Sequence, residues 1–118
     1  MLERNGKEIY LTRGDTCDIM FPAYLKHADG TREPYEFEQG DKVVFRLAKA
    51  AGQPLKIEKE CTIDFENSAA TLYLEPSDTE DLDFGKYRYE VELQTGNERY
   101  TYIANQLFEI GNEVEKHE

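Results

Sequence analysis

The chain has no tryptophan, two cysteines, two histidines and four prolines among its 118 residues. Each shortage removes a class of answer. Without tryptophan, a sugar-stacking platform would have to rest on tyrosine and phenylalanine. The only histidines are His27 and His117 and the only serines Ser68 and Ser77. Neither a Ser/His/Asp nor a Cys/His arrangement is spelled out, so no catalytic residue is assigned. Cys17 and Cys61 are far apart and lack metal-ligand spacing. Both fall on inward-facing positions and are expected to be buried free thiols rather than a disulfide. No apolar run approaches the roughly 20 residues that span a bilayer. The opening Met-Leu-Glu-Arg-Asn-Gly-Lys-Glu lacks the apolar centre of a signal peptide. The expectation is a protein made in the cytoplasm and kept there, or carried out inside a larger particle.

Basic residues are scarce as well. There are 14 against 25 acidic ones, a formal net charge of −11. Phosphate backbones and anionic lipids attract basic surfaces, so neither nucleic acid nor a membrane is expected as partner. The acidity serves solubility. Asp78, Glu80, Asp81 and Asp83 crowd together, yet the spaced acid-plus-glycine pattern of a calcium loop is missing. No metal and no cofactor is assigned, and Asp78 is expected to cap a short helical turn by satisfying free backbone donors.

What the chain does have is alternation. In Lys86 to Gln94, the residues Tyr87, Tyr89, Val91 and Leu93 share one parity, and Lys86, Arg88, Glu90, Glu92 and Gln94 share the other. Such a run is a strand with one dry and one wet face. Ala70 to Leu74 alternates in the same way, and between the two runs Pro76 to Thr79 is turn or short-helix chemistry. Upstream, Glu8–Thr12 is a short strand, Arg13-Gly14-Asp15 a turn, and Thr16 to about His27 one long strand with Cys17, Ile19, Phe21, Ala23 and Leu25 inward. Pro22 lacks a backbone donor and places the middle of that strand at an edge or bulge.

The stretch from Thr31 to Gln39 reads as the longest connection. Lys42–Ala48 follows as a strand with Val43, Phe45 and Leu47 inward. Leu55, Ile57, Cys61 and Ile63 extend the period-two pattern, with Lys59 breaking the inward series at a bulge or sheet margin. Thr95-Gly96-Asn97-Glu98 is a hairpin turn. Arg99 to Ala104 pairs back, Phe108 and Ile110 close the last strand, and the charged segment 111–118 frays.

About seven short strands and no long helix make an all-β sandwich, with a small barrel as the alternative. The length suits one domain, 1–118, large enough to bury roughly two-thirds of its unfolded surface. An acidic crossover running into Gly85-x-Tyr87-x-Tyr89 is how one edge of an immunoglobulin-like β-sandwich is commonly written. Tyr87, near the start of the penultimate strand, is then a candidate tyrosine corner, its hydroxyl turned back to upstream backbone.

Several pieces together resemble a family of small tail and baseplate proteins of phages and prophages of Gram-positive bacteria. They are Thr12-Arg13-Gly14-Asp15-Thr16, Asp29-Gly30, Gly40 to Phe45, Leu72 to Thr79, Leu82 to Val91 and Phe108-Glu109-Ile110. The likeness runs from about Ile9 to Val114 and is similar to the immunoglobulin-like N-terminal domain of baseplate upper proteins. It implies a non-enzymatic domain that docks onto other virion subunits or onto itself. A solute- or carbohydrate-binding sandwich is the alternative. Residue chemistry adds a candidate contact surface. Met20, Pro22 and Tyr24 share the non-core parity of the second strand, and Tyr73 extends the patch if the strands adjoin.

Overall fold

Alternation in the sequence becomes alternation in burial. The computed structural model describes residues 2–4 and 6–112. It runs through β1 (Ile9–Thr12), β2 (Cys17–Met20), β3 (Tyr24–Lys26), β4 (Arg32–Pro34), β5 (Lys42–Ala48), β6 (Leu55–Glu60), β7 (Thr62–Asp64) and β8 (Ala69–Leu74). A one-turn helix α1 (Pro76–Thr79), then β9 (Gly85–Thr95) and β10 (Glu98–Gly111), complete it. Three sheets form among the described residues. One has five strands in the order β1-β10-β9-β5-β6, one has three in the order β2-β8-β7, and β3 pairs with β4 alone. The two larger sheets face each other as a β-sandwich, with their inward side chains in one continuous core. The sheets end in open edge strands, so the barrel alternative is not formed.

The core follows the parity expected of each run. Val43, Phe45 and Leu47 of β5 are buried, as are Ala70, Leu72 and Leu74 of β8 and Tyr87, Tyr89, Val91 and Leu93 of β9. Each fully buried Val, Leu or Phe among them contributes about 1.5–3 kcal/mol of transfer free energy. At the centre, Phe21 stacks on Phe45 across the two sheets, ring centroids 6.0 Å apart, and Tyr89 packs against both. The buried tyrosines keep their hydroxyls satisfied. Tyr102 donates to the Phe21 carbonyl at 2.9 Å, and Tyr89 donates to the carbonyl of Lys7.

Several expected boundaries move, each for a local reason. The long strand from Thr16 to His27 is two strands in different sheets. The Phe21 amide still bonds to the Ala70 carbonyl, but after Pro22 the Ala23 carbonyl receives the Tyr35 amide instead. The chain is handed from β8 to the β3–β4 hairpin at the one residue without a donor. Burial nevertheless keeps its period across the break, with Ile19, Phe21 and Ala23 buried and Met20 and Pro22 exposed. Arg32–Pro34, expected to lie in a connection, pairs with β3.

The run from Leu55 to Ile63 also changes sheets. Cys61 hands its amide to the Val43 carbonyl at 2.7 Å, β6 stays beside β5, and β7 joins β8. Leu55, expected inward, is exposed at the start of β6, where the turn lifts it off the core. Ten strands among the described residues therefore stand where about seven are expected, because single alternating runs cross from one sheet to the other. In the opposite sense, Arg99–Ala104 and Phe108–Ile110 are one strand. β10 absorbs two register shifts between Thr101 and Gln106, with Asn105 at φ 54°. Gly111 is in β10, bonded opposite Thr12 of β1, which runs parallel to it. The rest of the expected tail, with Val114 and His117, lies outside the described residues apart from Asn112.

Candidate interaction surface

The two outer faces of the sandwich differ in chemistry. On the five-stranded sheet, β5 sits between β6 and β9, with Arg46 opposite both Glu58 and Glu90. Arg46 donates to Glu58 at 2.7 Å, to Glu90 at 3.1 Å and to Glu92 at 3.3 Å, and Arg99 lies 3.6 Å from Glu92. These carboxylates raise the Arg46 pKa further, hydrogen bonding by Glu58 foremost. Around Arg46 this face is held by its own ion pairs.

The three-stranded sheet is different. Its strands adjoin with Asp18 opposite Tyr73 and Met20 opposite Thr71. Met20 and Tyr73 are diagonal neighbours on one face, close enough for long side chains to touch a common partner. They are 55% and 51% exposed, an apolar pair left in solvent.

Beside them lies a seam. β1 is the edge of the larger sheet and β2 the edge of the smaller, and an open groove of about 640 Å³ runs between the two. The core residues Ile9 and Ile19 and the half-buried Cys17 line it, together with Tyr10, Met20 and Tyr73. Among the described residues Tyr10 is the most exposed large apolar side chain, at 66%. The rim is acidic. The charge of Glu8, then slight desolvation, a hydrogen bond from Tyr10 to Glu8 and the charge of Glu109 raise the Tyr10 pKa. Burial first, and then the charges of Asp18 and Asp15, raise that of Cys17, against a smaller lowering by Lys7.

The sequence candidates divide on this map. Met20 and Tyr73 come together, and Pro22 is exposed at the handover between sheets. Tyr24 goes elsewhere. It sits half-buried on the β3–β4 hairpin with the Arg32 guanidinium 4.0 Å over its ring. Tyr10 belongs to the surface and was not among the candidates. Its exposed parity in β1 is a signal in the sequence, but the proximity of β1 to β2 is not. Tyr87 donates its hydroxyl to the Asp83 carbonyl, four residues upstream, at 2.7 Å.

The remaining polar candidates are engaged structurally. Asp78 does satisfy a helix-end donor, but from the third helical position, accepting the Glu75 amide at 2.7 Å while Glu75 is the N-cap. Burial alone would raise its pKa. The Lys59 ammonium at 2.6 Å and the Glu75 amide outweigh that and hold it below the usual carboxylate range. Lys59 thus keeps its place on the inward parity by reaching past the margin of the core. Ser68 accepts the Phe37 amide at 3.0 Å, and His27 pairs with Glu33 at 2.7 Å on the exposed hairpin. Cys61 is buried, which pushes its thiol pKa up to about 12. Among the described residues no group of three or more His, Cys, Asp or Glu could hold a metal ion.

A second concavity, about 220 Å³, lies under the β5–β6 turn between Leu55, Ala48, Ala50, Arg88 and Asn105. It is smaller than the roughly 300–1,000 Å³ of ordinary small-ligand sites. Comparison with protein-family models, with curated proteins and with solved structures gives no match.

Proposed function

We propose that this chain is a non-enzymatic, immunoglobulin-like sandwich that works by protein–protein contact, as a subunit or accessory of a phage or prophage tail or baseplate. The contact reading is supported above all by the cluster of Tyr10, Met20 and Tyr73 around the open seam. Grouped aromatic and methionine side chains are characteristic of interface cores, and scattered exposed residues would not line one groove.

The immunoglobulin-like reading draws on topology and on the aromatic centre. A variable-type domain has one sheet extended past its second strand pair and a facing sheet of four strands. Here β10, β9, β5 and β6 correspond to the first, and β2, β8 and β7 to the facing sheet without its outermost member. Phe21 and Tyr89 meet across the sheets at 5.8 Å, where antibody domains carry a disulfide, and Phe45 stands in for the packed tryptophan. Tyr87 precedes Tyr89 by two residues, the spacing of a tyrosine corner. The phage context rests on the sequence resemblance.

The test is co-expression with the products of the adjoining genes. The expected result is co-elution with a tail or baseplate subunit, lost in a Met20→Lys, Tyr73→Lys double variant whose melting temperature is unchanged. A chain that co-elutes with none of them and stays monomeric overturns the reading.

A further inference from the structure

Among the described residues β2 is an edge strand bonded only to β8, and its phase can be read from one bond. In an antiparallel pair alternate residues exchange hydrogen bonds, while the residues between turn their backbone groups to the other side. The Phe21 amide bonds to the Ala70 carbonyl, and the register continues as Ile19 with Leu72 and Cys17 with Leu74. Asp18 and Met20 therefore turn their N–H and C=O groups away from β8, toward the seam. Pro22 limits this edge on one side and the Arg13–Thr16 turn limits it on the other.

Resting on the contact reading above, we infer that the seam is a strand-addition site. An extended segment of another protein lies along the free edge of β2 and exchanges backbone hydrogen bonds with Asp18 and Met20. Its apolar side chains, on one parity, enter the groove against Ile9, Cys17 and Ile19. Between them, on the parity of Glu8 and Asp18, it carries lysine or arginine, because these two carboxylates line the groove against one lysine, Lys7, and the charge of Asp15 also reaches Cys17. A second copy of this chain is the wrong occupant by charge. Its net −11 would bring acidic rim onto acidic rim. The accepting edge is four residues long, so a short extended segment suffices, with affinity from the backbone and specificity from alternate pockets.

The experiment selects random displayed octapeptides on the immobilised full chain and then uses the enriched peptide as the probe. The expected peptides alternate apolar and basic residues. Binding of the chosen peptide should slow amide hydrogen exchange at Asp18 and Met20, read by NMR, and leave Arg46 and Glu90 unchanged. N-methylating alternate residues of that peptide should weaken it by about tenfold or more, since each lost backbone bond is left unpaired. Replacing its basic residues by glutamate should weaken it comparably and less so at high salt.

Three results overturn the inference. They are enrichment of acidic or non-alternating peptides, binding without protection of Asp18 and Met20, and no enrichment over a Met20→Lys, Tyr73→Lys control. The second, with partner co-elution still lost in the double variant, leaves the contact reading intact and makes the surface a face-to-face one. Wild-type self-association with the same two amides protected also overturns it, by naming the chain itself as occupant.

Discussion

At the scale of single residues, Tyr87 is the most informative test. Its ring is on the core parity, 2% exposed, and its hydroxyl spans four residues back to Asp83. Removing only the oxygen, in Tyr87→Phe, leaves packing unchanged and strands a carbonyl. The loss should be about 0.5–1.5 kcal/mol, read as a lower denaturant midpoint at constant slope. An unchanged midpoint would mean that water replaces the hydroxyl. Parity of this kind is legible in the sequence, since each clean alternating run carries its own inside and outside. Burial of Phe21 and Ala23 was legible even across a break in the strand, because parity is a property of the extended backbone and survives a change of partner. What no residue carries is the name of its neighbour. Tyr24 shares parity with Met20, yet the handover at Pro22 sends it to another sheet beneath Arg32.

At the scale of elements, α1 ties the crossover to both sheets. Thr79 is fully buried and accepts the Gly14 amide at 2.9 Å, and Arg13 donates to the Leu82 carbonyl at 3.1 Å. Asp78 joins the same turn to Lys59 of β6. Because the folded pKa of Asp78 is depressed, its contribution is present above the unfolded value of about 3.9 and is lost as pH falls through the lower folded value. Lys59→Met should therefore lower stability at pH 6, and the gap to the parent should narrow as the pH is taken below about 4. Urea midpoints over that range would read it, and parallel curves would assign Lys59 to packing alone. The helix was visible in Pro76-Ser77-Asp78-Thr79, whereas its tether was not. Lys59 looked like a flaw in an inward series, and only the fold brings it to a carboxylate 19 residues away. The seam was illegible for the same reason. Tyr10 and Met20 become neighbours through the placement of two sheet edges, which neither strand's pattern records.

At the scale of the whole molecule, one core spans both sheets, so disrupting it anywhere should be felt everywhere. Val91 is wholly buried in the middle of β9. Val91→Asp should cost about 3 kcal/mol or more by placing an unpaired carboxylate there, and calorimetry should show one transition moved down rather than a second one split off. A variant melting within a degree or two of the parent would contradict the register. The parallel pairing of β1 with β10 has a mechanical consequence. Ile9 lies beside Phe108 and Thr12 beside Gly111, so opposed pulls on the start of β1 and the end of β10 draw the two strands lengthwise past each other. All the bonds between them then share the load and must yield together. Handles at Lys86 and Glu109, a facing pair at the open mouth of the β9–β10 hairpin, would instead part the bonds one after another. Single-molecule pulling should register a higher rupture force in the first geometry than in the second. A domain clamped in this way stays folded under a lengthwise pull that would unzip a hairpin.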